Sequence, residues 1–89
     1  MKLTFTRQGL KEYKLWETSS PNTVEKIDEL VADIINKGYL NGKGKPEKLK
    51  HYKDPVRFSR MINQGDRLIY CRNGDDLLII SCKGHYDDK

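Results

Sequence analysis

The sequence has few cysteines, no long apolar run and no cluster of metal ligands. Its two cysteines are too few for a disulfide framework, and its two histidines do not have zinc-finger spacing. No apolar stretch approaches the roughly 18 residues of a transmembrane helix, and the first residues lack the apolar region of a secretory signal. These absences exclude a disulfide scaffold, a zinc finger and a membrane-spanning protein. We expect a cytoplasmic protein that needs no metal or other cofactor.

The length and composition predict one small domain over residues 1–89. A chain of this size buries only roughly 60–65% of the surface that its unfolded form exposes, so its core is thin. Hydrophobic residues make up 36% of the chain and charged residues 34%. We therefore expect no more than two layers of secondary structure.

The positive charge is concentrated in the middle of the chain. The formal net charge is +4, yet residues 43–72 carry nine basic side chains against three acidic ones. The segments on either side are neutral or acidic. Such a stretch favours a polyanion or an acidic protein as partner. A basic face that only interacts with solvent explains the charge equally well.

Periodicity and turn residues predict an α+β domain of order β-α-α-β-β-β, with a two-helix hairpin packed on a small, mainly antiparallel sheet. Gly9 is expected to weaken the first helix, and the second begins after Ser20 or Asn22. Asn73-Gly74 is a strong hairpin signal. The predicted segments are a strand at Leu3–Phe5, helices at 7–17 and from about 21 to 37, an irregular connection at 39–54, and strands at 56–62, 67–72 and 77–82.

The predicted hairpin gathers polar residues at one end of the sheet. It places Arg67 across from residues 80–82, with His85 and Tyr86 just beyond, while Glu47 lies on the connection that leads to the neighbouring strand. A carboxylate, a cation and an imidazole suit RNA cleavage, which needs a base, charge stabilisation and an acid. Each residue also has a structural explanation: a charge partner for nearby lysines, the flank of a strand, or an idle histidine near the chain end.

Four segments resemble blocks of the YoeB/Txe toxins, in the same order and spacing. These toxins are ribosome-dependent mRNA endonucleases of type II toxin–antitoxin pairs, within the RelE/ParE superfamily. The segments are GKGKPEKLKH at 42–51, FSRMI at 58–62, RLIY at 67–70 and GHY at 84–86. The resemblance covers nearly the whole chain and implies a RelE-like, microbial RNase-like fold.

The resemblance also implies a role for individual residues. Glu47 corresponds to the general base and Arg67 to the arginine that stabilises the transition state. His85 corresponds to the general acid, and Tyr86 to an aromatic that orients the substrate. Arg60 and Lys50 correspond to positions that bind phosphates and support the site. Lys45, Lys48 and Lys53 are implied to attract RNA or the ribosome.

The implied partners are mRNA in the ribosomal A site, the ribosome itself and an acidic, YefM-like antitoxin. The implied products are a 2′,3′-cyclic phosphate, or its hydrolysed 3′-phosphate, and a 5′-hydroxyl, formed without a metal. Two alternatives use the same fold without catalysis: a toxin similar to the ParE gyrase poisons, and an inactive nucleic-acid- or partner-binding module. The sequence departs from the family at Asp66, where a histidine is frequent, and in the acidic tail Asp87-Asp88.

Overall fold

The computed structural model describes residues 1–84, which form two helices packed on one face of a five-stranded sheet. The strand order is β1-β5-β4-β3-β2. Strands β1 and β5 are parallel, and all other neighbours are antiparallel. This arrangement confirms the predicted α+β class and the mainly antiparallel sheet. The elements are β1 (Leu3–Phe5), α1 (Arg7–Ser19), α2 (Pro21–Lys37), β2 (Glu47–Lys53), β3 (Val56–Met61), β4 (Arg67–Asn73) and β5 (Asp76–Ser81).

Strand β2 is the element that the sequence did not predict. The irregular connection expected over residues 39–54 ends at Pro46, and Glu47–Lys53 forms a strand at the sheet edge. An edge strand pairs with one neighbour only, and Leu49 is the only buried residue of this one. Because only one residue of this strand is buried, its sequence shows no alternation of polar and apolar residues that would have predicted it. The segment nevertheless pairs with β3.

The ends of the two helices follow the local sequence. The Thr6 hydroxyl accepts a hydrogen bond from the Gly9 N–H at 3.0 Å, which caps α1. Helix α2 begins at Pro21 after Ser20, and it ends at Lys37, which is followed by Gly38 with a φ of 98°. Neither helix in residues 1–84 is long and apolar enough to cross a membrane.

The core lies between α2 and the central strands. The side chains of Ile27, Leu30 and Ile34 are fully buried. They belong to one cluster with residues of β4 and β5, namely Leu68, Tyr70, Leu77 and Ile79. Since Leu68 and Tyr70 alternate with Arg67 and Ile69 along β4, the opposite face of the sheet is left for the residues of the site.

Gly9 allows α1 to lie directly against β5. A Cβ atom added at Gly9 would be 2.6 Å from the carbonyl oxygen of Ile79, which is closer than side-chain carbons approach backbone. Thr6 reinforces this contact, because its hydroxyl donates to the Ile80 carbonyl at 2.8 Å. The glycine that the sequence marked as a weak point of the helix thus allows the helix to pack closely on the sheet.

Candidate active site

The site lies on the sheet face that points away from the helices. In the strand register Glu47 is opposite Ser59, and Ser59 is opposite Ile69. Arg67 precedes Ile69 by two residues, so its side chain is on the same face. The first residues of β2 and β4 therefore meet across β3, with Ser59 between them. The meeting of Glu47 and Arg67, predicted only loosely from the sequence, results from this pairing.

Glu47, Ser59 and Arg67 contact one another at long hydrogen-bonding distances. Arg67 Nη1 is 3.3 Å from Glu47 Oε1, and the Ser59 hydroxyl is 3.4 Å from each of these two atoms. The Glu47 side chain is 57% exposed and that of Arg67 is 24% exposed, whereas Ser59 is fully buried. Such an exposed pair contributes little to stability. Its carboxylate and guanidinium are open to a ligand.

Ser59 is a site residue that the sequence analysis missed. It stands in the FSRMI block, but a serine in a strand gives no chemical signal on its own. The signal that could have found it is alternation, because Ser59 lies between Phe58 and Arg60, whose side chains face the helices. Only the register with β2 and β4 shows that its hydroxyl is next to Glu47 and Arg67.

Arg60 does not reach the site surface, and the prediction that it binds phosphate is wrong. Its side chain is fully buried on the helix side of β3. The guanidinium has five N–H donors, and all of them are used within the protein. They donate to the Tyr70 hydroxyl at 2.9 Å, Asp33 Oδ2 at 2.8 Å, and the carbonyls of Lys43 at 3.0 Å, Gly38 at 2.8 Å and Asn41 at 2.7 Å.

Asp33 is the anionic partner of this buried arginine. Its Oδ2 also accepts the Lys43 backbone N–H at 2.7 Å, and Lys37 Nζ is 3.2 Å from its Oδ1. The backbone hydrogen bond from Lys43, together with those from Lys37 and Arg60, lowers the pKa of Asp33 to about 2. The carboxylate is therefore ionised at every pH at which the protein is expected to act.

The remaining predicted lysines are exposed, but Lys48 is opposite Phe58 and therefore lies on the other face of the sheet from Glu47. Lys45 lies in the loop before β2, and Lys48, Lys50 and Lys53 lie on β2 itself. The three β2 lysines line a groove of about 510 Å³ together with Tyr52 and Val56. Lys43, in contrast, forms an ion pair with Glu29 on α2 at 3.0 Å.

Hydrogen bonds at Cys82 and Gly84 hold the segment after β5. The Cys82 N–H donates to Glu12 Oε1 and its carbonyl accepts from the Trp16 indole, both at 2.8 Å. The Gly84 N–H donates to Asp66 Oδ1 at 2.7 Å, and its carbonyl accepts the Arg67 N–H at 3.1 Å. These bonds set the path of the backbone up to Gly84.

A bulge in β5 changes the register predicted for Arg67. Ile69 is opposite Ser81 while Tyr70 is opposite Ile79, so Ile80 has no partner across the hairpin. The extra residue brings the Arg67 backbone to Gly84 rather than to residues 80–82. His85 and Tyr86, which follow Gly84 in the sequence, lie outside the described residues, and the roles assigned to them stay predictions.

The two cysteines are buried thiols at separate places. Cys71 lies opposite Leu78 in the β4–β5 hairpin, which confirms that it does not face Cys82. Burial raises the pKa of Cys82 to about 12 and also raises that of Cys71. Within residues 1–84, no three His, Cys, Asp or Glu side chains come close enough together to hold a metal ion.

The chain matches known toxins along almost its whole length. Residues 5–86 match the family model described as the YoeB-like toxin of bacterial type II toxin-antitoxin systems. Toxin YoeB of Escherichia coli strain K12 is 38% identical over 86 residues, covering 97% of this chain and all of that protein. Toxin YoeB of Streptomyces coelicolor is 36% identical over 86 residues, with the same coverage.

Solved structures agree with these sequence matches. The YoeB dimer from Staphylococcus aureus has a TM-score of 0.89 at 40% identity, covering 97% of this chain and 98% of that one. The heterotetrameric YoeB–YefM complex from the same organism gives 0.86 at 40% identity, with the same coverage. A toxin from Helicobacter pylori has a TM-score of 0.78 at only 18% identity over 96% of this chain and 94% of that one, and shares the fold alone. This chain therefore belongs to the YoeB-like toxins of bacterial type II toxin–antitoxin systems.

Proposed function

We propose that this chain is a ribosome-dependent endoribonuclease that cleaves mRNA and stops translation. The observation that carries the proposal is the exposed Glu47–Arg67 pair on the sheet face away from the helices, with its 3.3 Å contact. A site of this kind can receive a phosphodiester, because a phosphate oxygen can replace the Glu47 carboxylate as the partner of Arg67. Glu47 is then released to accept a proton.

In the proposed reaction the ribose 2′-oxygen attacks the adjacent phosphorus. Glu47 removes the 2′-hydroxyl proton, and Arg67 stabilises the charge that develops on the phosphorane oxygens. His85 donates a proton to the 5′-oxygen as its bond to phosphorus breaks, and Tyr86 orients the substrate. The products are a 2′,3′-cyclic phosphate, which can hydrolyse to a 3′-phosphate, and a 5′-hydroxyl.

The partners are proposed from the charge distribution and from the relatives. The exposed lysines of β2 supply a sequence-independent attraction for RNA, including that of the ribosome. Holding the mRNA in the A site would align the 2′-oxygen for attack, which an exposed carboxylate cannot do alone. The Staphylococcus aureus relative is found in complex with YefM, and we propose an acidic antitoxin of that kind for this chain. We propose the cytoplasm, where mRNA is translated, as the place where this chain acts.

Mapping mRNA 5′ ends in cells tests the proposal. We expect new ends inside translated codons when the wild type is induced, and none for Glu47→Gln or Arg67→Gln. The controls are Glu25→Gln, an exposed carboxylate on α2, and Arg72→Gln, an exposed arginine of β4. Both controls should cut like the wild type, and blocking translation should abolish the cuts.

Two outcomes would contradict the proposal. Growth arrest with intact mRNA would indicate a target other than RNA, as in the gyrase poisons. Intact mRNA without arrest would indicate a binding module.

A further inference from the structure

The loop between α2 and β2, residues 38–46, wraps around the guanidinium of Arg60. The carbonyls of Gly38, Asn41 and Lys43 accept its hydrogen bonds, and we call this group the carbonyl cage. The Tyr70 hydroxyl, which accepts from Arg60 Nε, donates in turn to the Tyr39 carbonyl at 2.6 Å. One buried side chain of β3 thus organises the backbone of most of this loop.

The two glycines in the second half of the loop lie against the cage and its partners. Gly42 has a φ of 112°, and a Cβ atom there would be 2.0 Å from Asp33 Oδ2. Gly44 has a φ of 82°, and its carbonyl accepts the Met61 N–H at 2.7 Å. Only glycine fits both the conformation and the space at Gly42.

Lys45 takes a backbone conformation that is unusual for its residue type. Its φ is 51°, and among residues 1–84 it is the only non-glycine residue with a positive φ. This conformation is unfavourable for a residue that has a Cβ atom, and it persists where the surrounding contacts impose it. Here the preceding loop is bound to Arg60 and Asp33, and the chain enters β2 two residues later at Glu47.

We propose that Arg60 is a positioning residue: through the carbonyl cage it sets the path of loop 38–46 and thereby the placement of Lys45 and Glu47 relative to Arg67. This inference rests on the proposed function. Arg60 is suited to this role because its side chain contacts the loop and Tyr70 of β4, the strand that begins with Arg67. Its neighbour Ser59 contacts both Glu47 and Arg67 on the other face.

A purely stabilising role accounts less well for this arrangement. A buried arginine–aspartate pair often stabilises a protein no more than apolar residues of similar size, because desolvation of two charges offsets their attraction. What an apolar residue cannot do is bind three loop carbonyls in a fixed geometry. The guanidinium therefore determines the conformation of the loop, whatever it adds to the free energy of unfolding.

The test uses Arg60→Lys, which keeps the charge but has three donors instead of five. Cleavage of mRNA on purified, programmed ribosomes is measured well below the melting temperature, and rates are divided by the folded fraction. We expect kcat to fall about 10- to 100-fold, as for a misplaced catalytic group, with KM changed less than about threefold. The backbone amides of residues 39–45 should exchange with solvent faster than in the wild type.

Gly42→Ala provides a second perturbation in case Arg60→Lys does not fold. It leaves Arg60 in place but forces a methyl group into the Asp33 carboxylate, so the same loss of kcat is expected. The matched control is Gly74→Ala, which has a φ of 63° but no neighbouring atom within 4 Å of the added carbon. Gly74→Ala places alanine at a positive φ, as Gly42→Ala does, but its methyl group contacts no other residue within 1–84. This control should therefore cleave mRNA like the wild type.

The outcomes separate this inference from the proposed function. If folded Arg60→Lys or Gly42→Ala cleaves with the kcat of the wild type while Glu47→Gln is inactive, the positioning role is wrong and the proposed function stands. If Glu47→Gln itself cleaves normally, the proposed function fails. A loss of rate that disappears after correction for the folded fraction would also overturn the positioning role.

Discussion

Replacing Gly9 by alanine should destabilise the protein, although helix propensity alone predicts the opposite. In an exposed helix interior, alanine is favoured over glycine by about 1 kcal/mol. At Gly9, however, the new methyl carbon would be 2.6 Å from the Ile79 carbonyl oxygen and 3.3 Å from that of Ile80. Helix α1 has to retreat from β5 by roughly 0.8 Å before these atoms reach ordinary contact distance.

The expected magnitude follows from the two opposing effects. Overpacking of this kind costs about 1–3 kcal/mol, and the neighbouring atoms belong to the backbone of an interior strand, which cannot rotate away. The helix shift also stretches the hydrogen bond that the Cys82 N–H donates to Glu12 and the one that the Trp16 indole donates to the Cys82 carbonyl. Because backbone atoms cannot move aside, we place the cost in the upper part of that range, at about 2–3 kcal/mol. We therefore expect the free energy of unfolding to fall by about 1–2 kcal/mol after the propensity gain of about 1 kcal/mol is subtracted.

Equilibrium denaturation in urea, followed by tryptophan fluorescence, measures this change. Trp16 is the only tryptophan, and its indole binds the Cys82 carbonyl at the interface in question. The control is Gly65→Ala, where the nearest atom to the added carbon is 3.8 Å away and φ is not positive; its stability should stay within about 0.5 kcal/mol of the wild type. A Gly9→Ala protein as stable as the wild type, or more stable, would refute the reasoning.

Three further predictions concern other parts of the structure. The pKa of Asp33 is lowered to about 2 in the folded protein, so its stabilising contribution is present above its ordinary pKa and is lost as the pH falls from about 4 to 2. The difference in free energy of unfolding between the wild type and Asp33→Asn should therefore shrink over that range. A constant difference would contradict this prediction. Asp66→Ala removes the acceptor of the Gly84 N–H, so the Gly84 amide should exchange faster with solvent. The control Asp75→Ala, in the exposed hairpin, should leave the exchange rate of Gly84 unchanged. Equal exchange in both variants would show that this hydrogen bond does not hold the segment after β5. Burial and the raised pKa should make Cys82 unreactive toward alkylating reagents in the folded protein, and alkylation at the rate of an unfolded control would show that the thiol is accessible.

Local signals in the sequence were sufficient for most of the fold. The apolar stripe of α2 and its terminal Lys37-Gly38 predicted a helix that ends where the structure ends it. The Asn73-Gly74 pair predicted the β4–β5 hairpin, whose two loop residues are Gly74 and Asp75. In each case the signal is carried by residues within a few positions of each other in the sequence.

The features that the sequence did not predict depend on distant residues. Strand β2 exists because β3 offers it hydrogen bonds, and nothing in its lysine-rich sequence indicates that partner. Arg60 is buried because a carboxylate from α2 and three carbonyls from the loop surround it. The sequence shows only that Arg60 stands in a pattern that the family uses to bind phosphate. Nothing near it in the sequence indicates that its side chain is buried.

The proposed attack by the 2′-hydroxyl is tested most directly with an mRNA that lacks this group at one position. A programmed ribosome is prepared with all-ribose mRNA, or with the same mRNA carrying a single 2′-deoxynucleotide on the 5′ side of the mapped cleavage site. We predict that the wild-type protein cleaves the first to a 2′,3′-cyclic phosphate and a 5′-hydroxyl and leaves the second intact at that site. Equal cleavage of both mRNAs, or products with a 5′-phosphate, would contradict the mechanism assigned to Glu47 and Arg67.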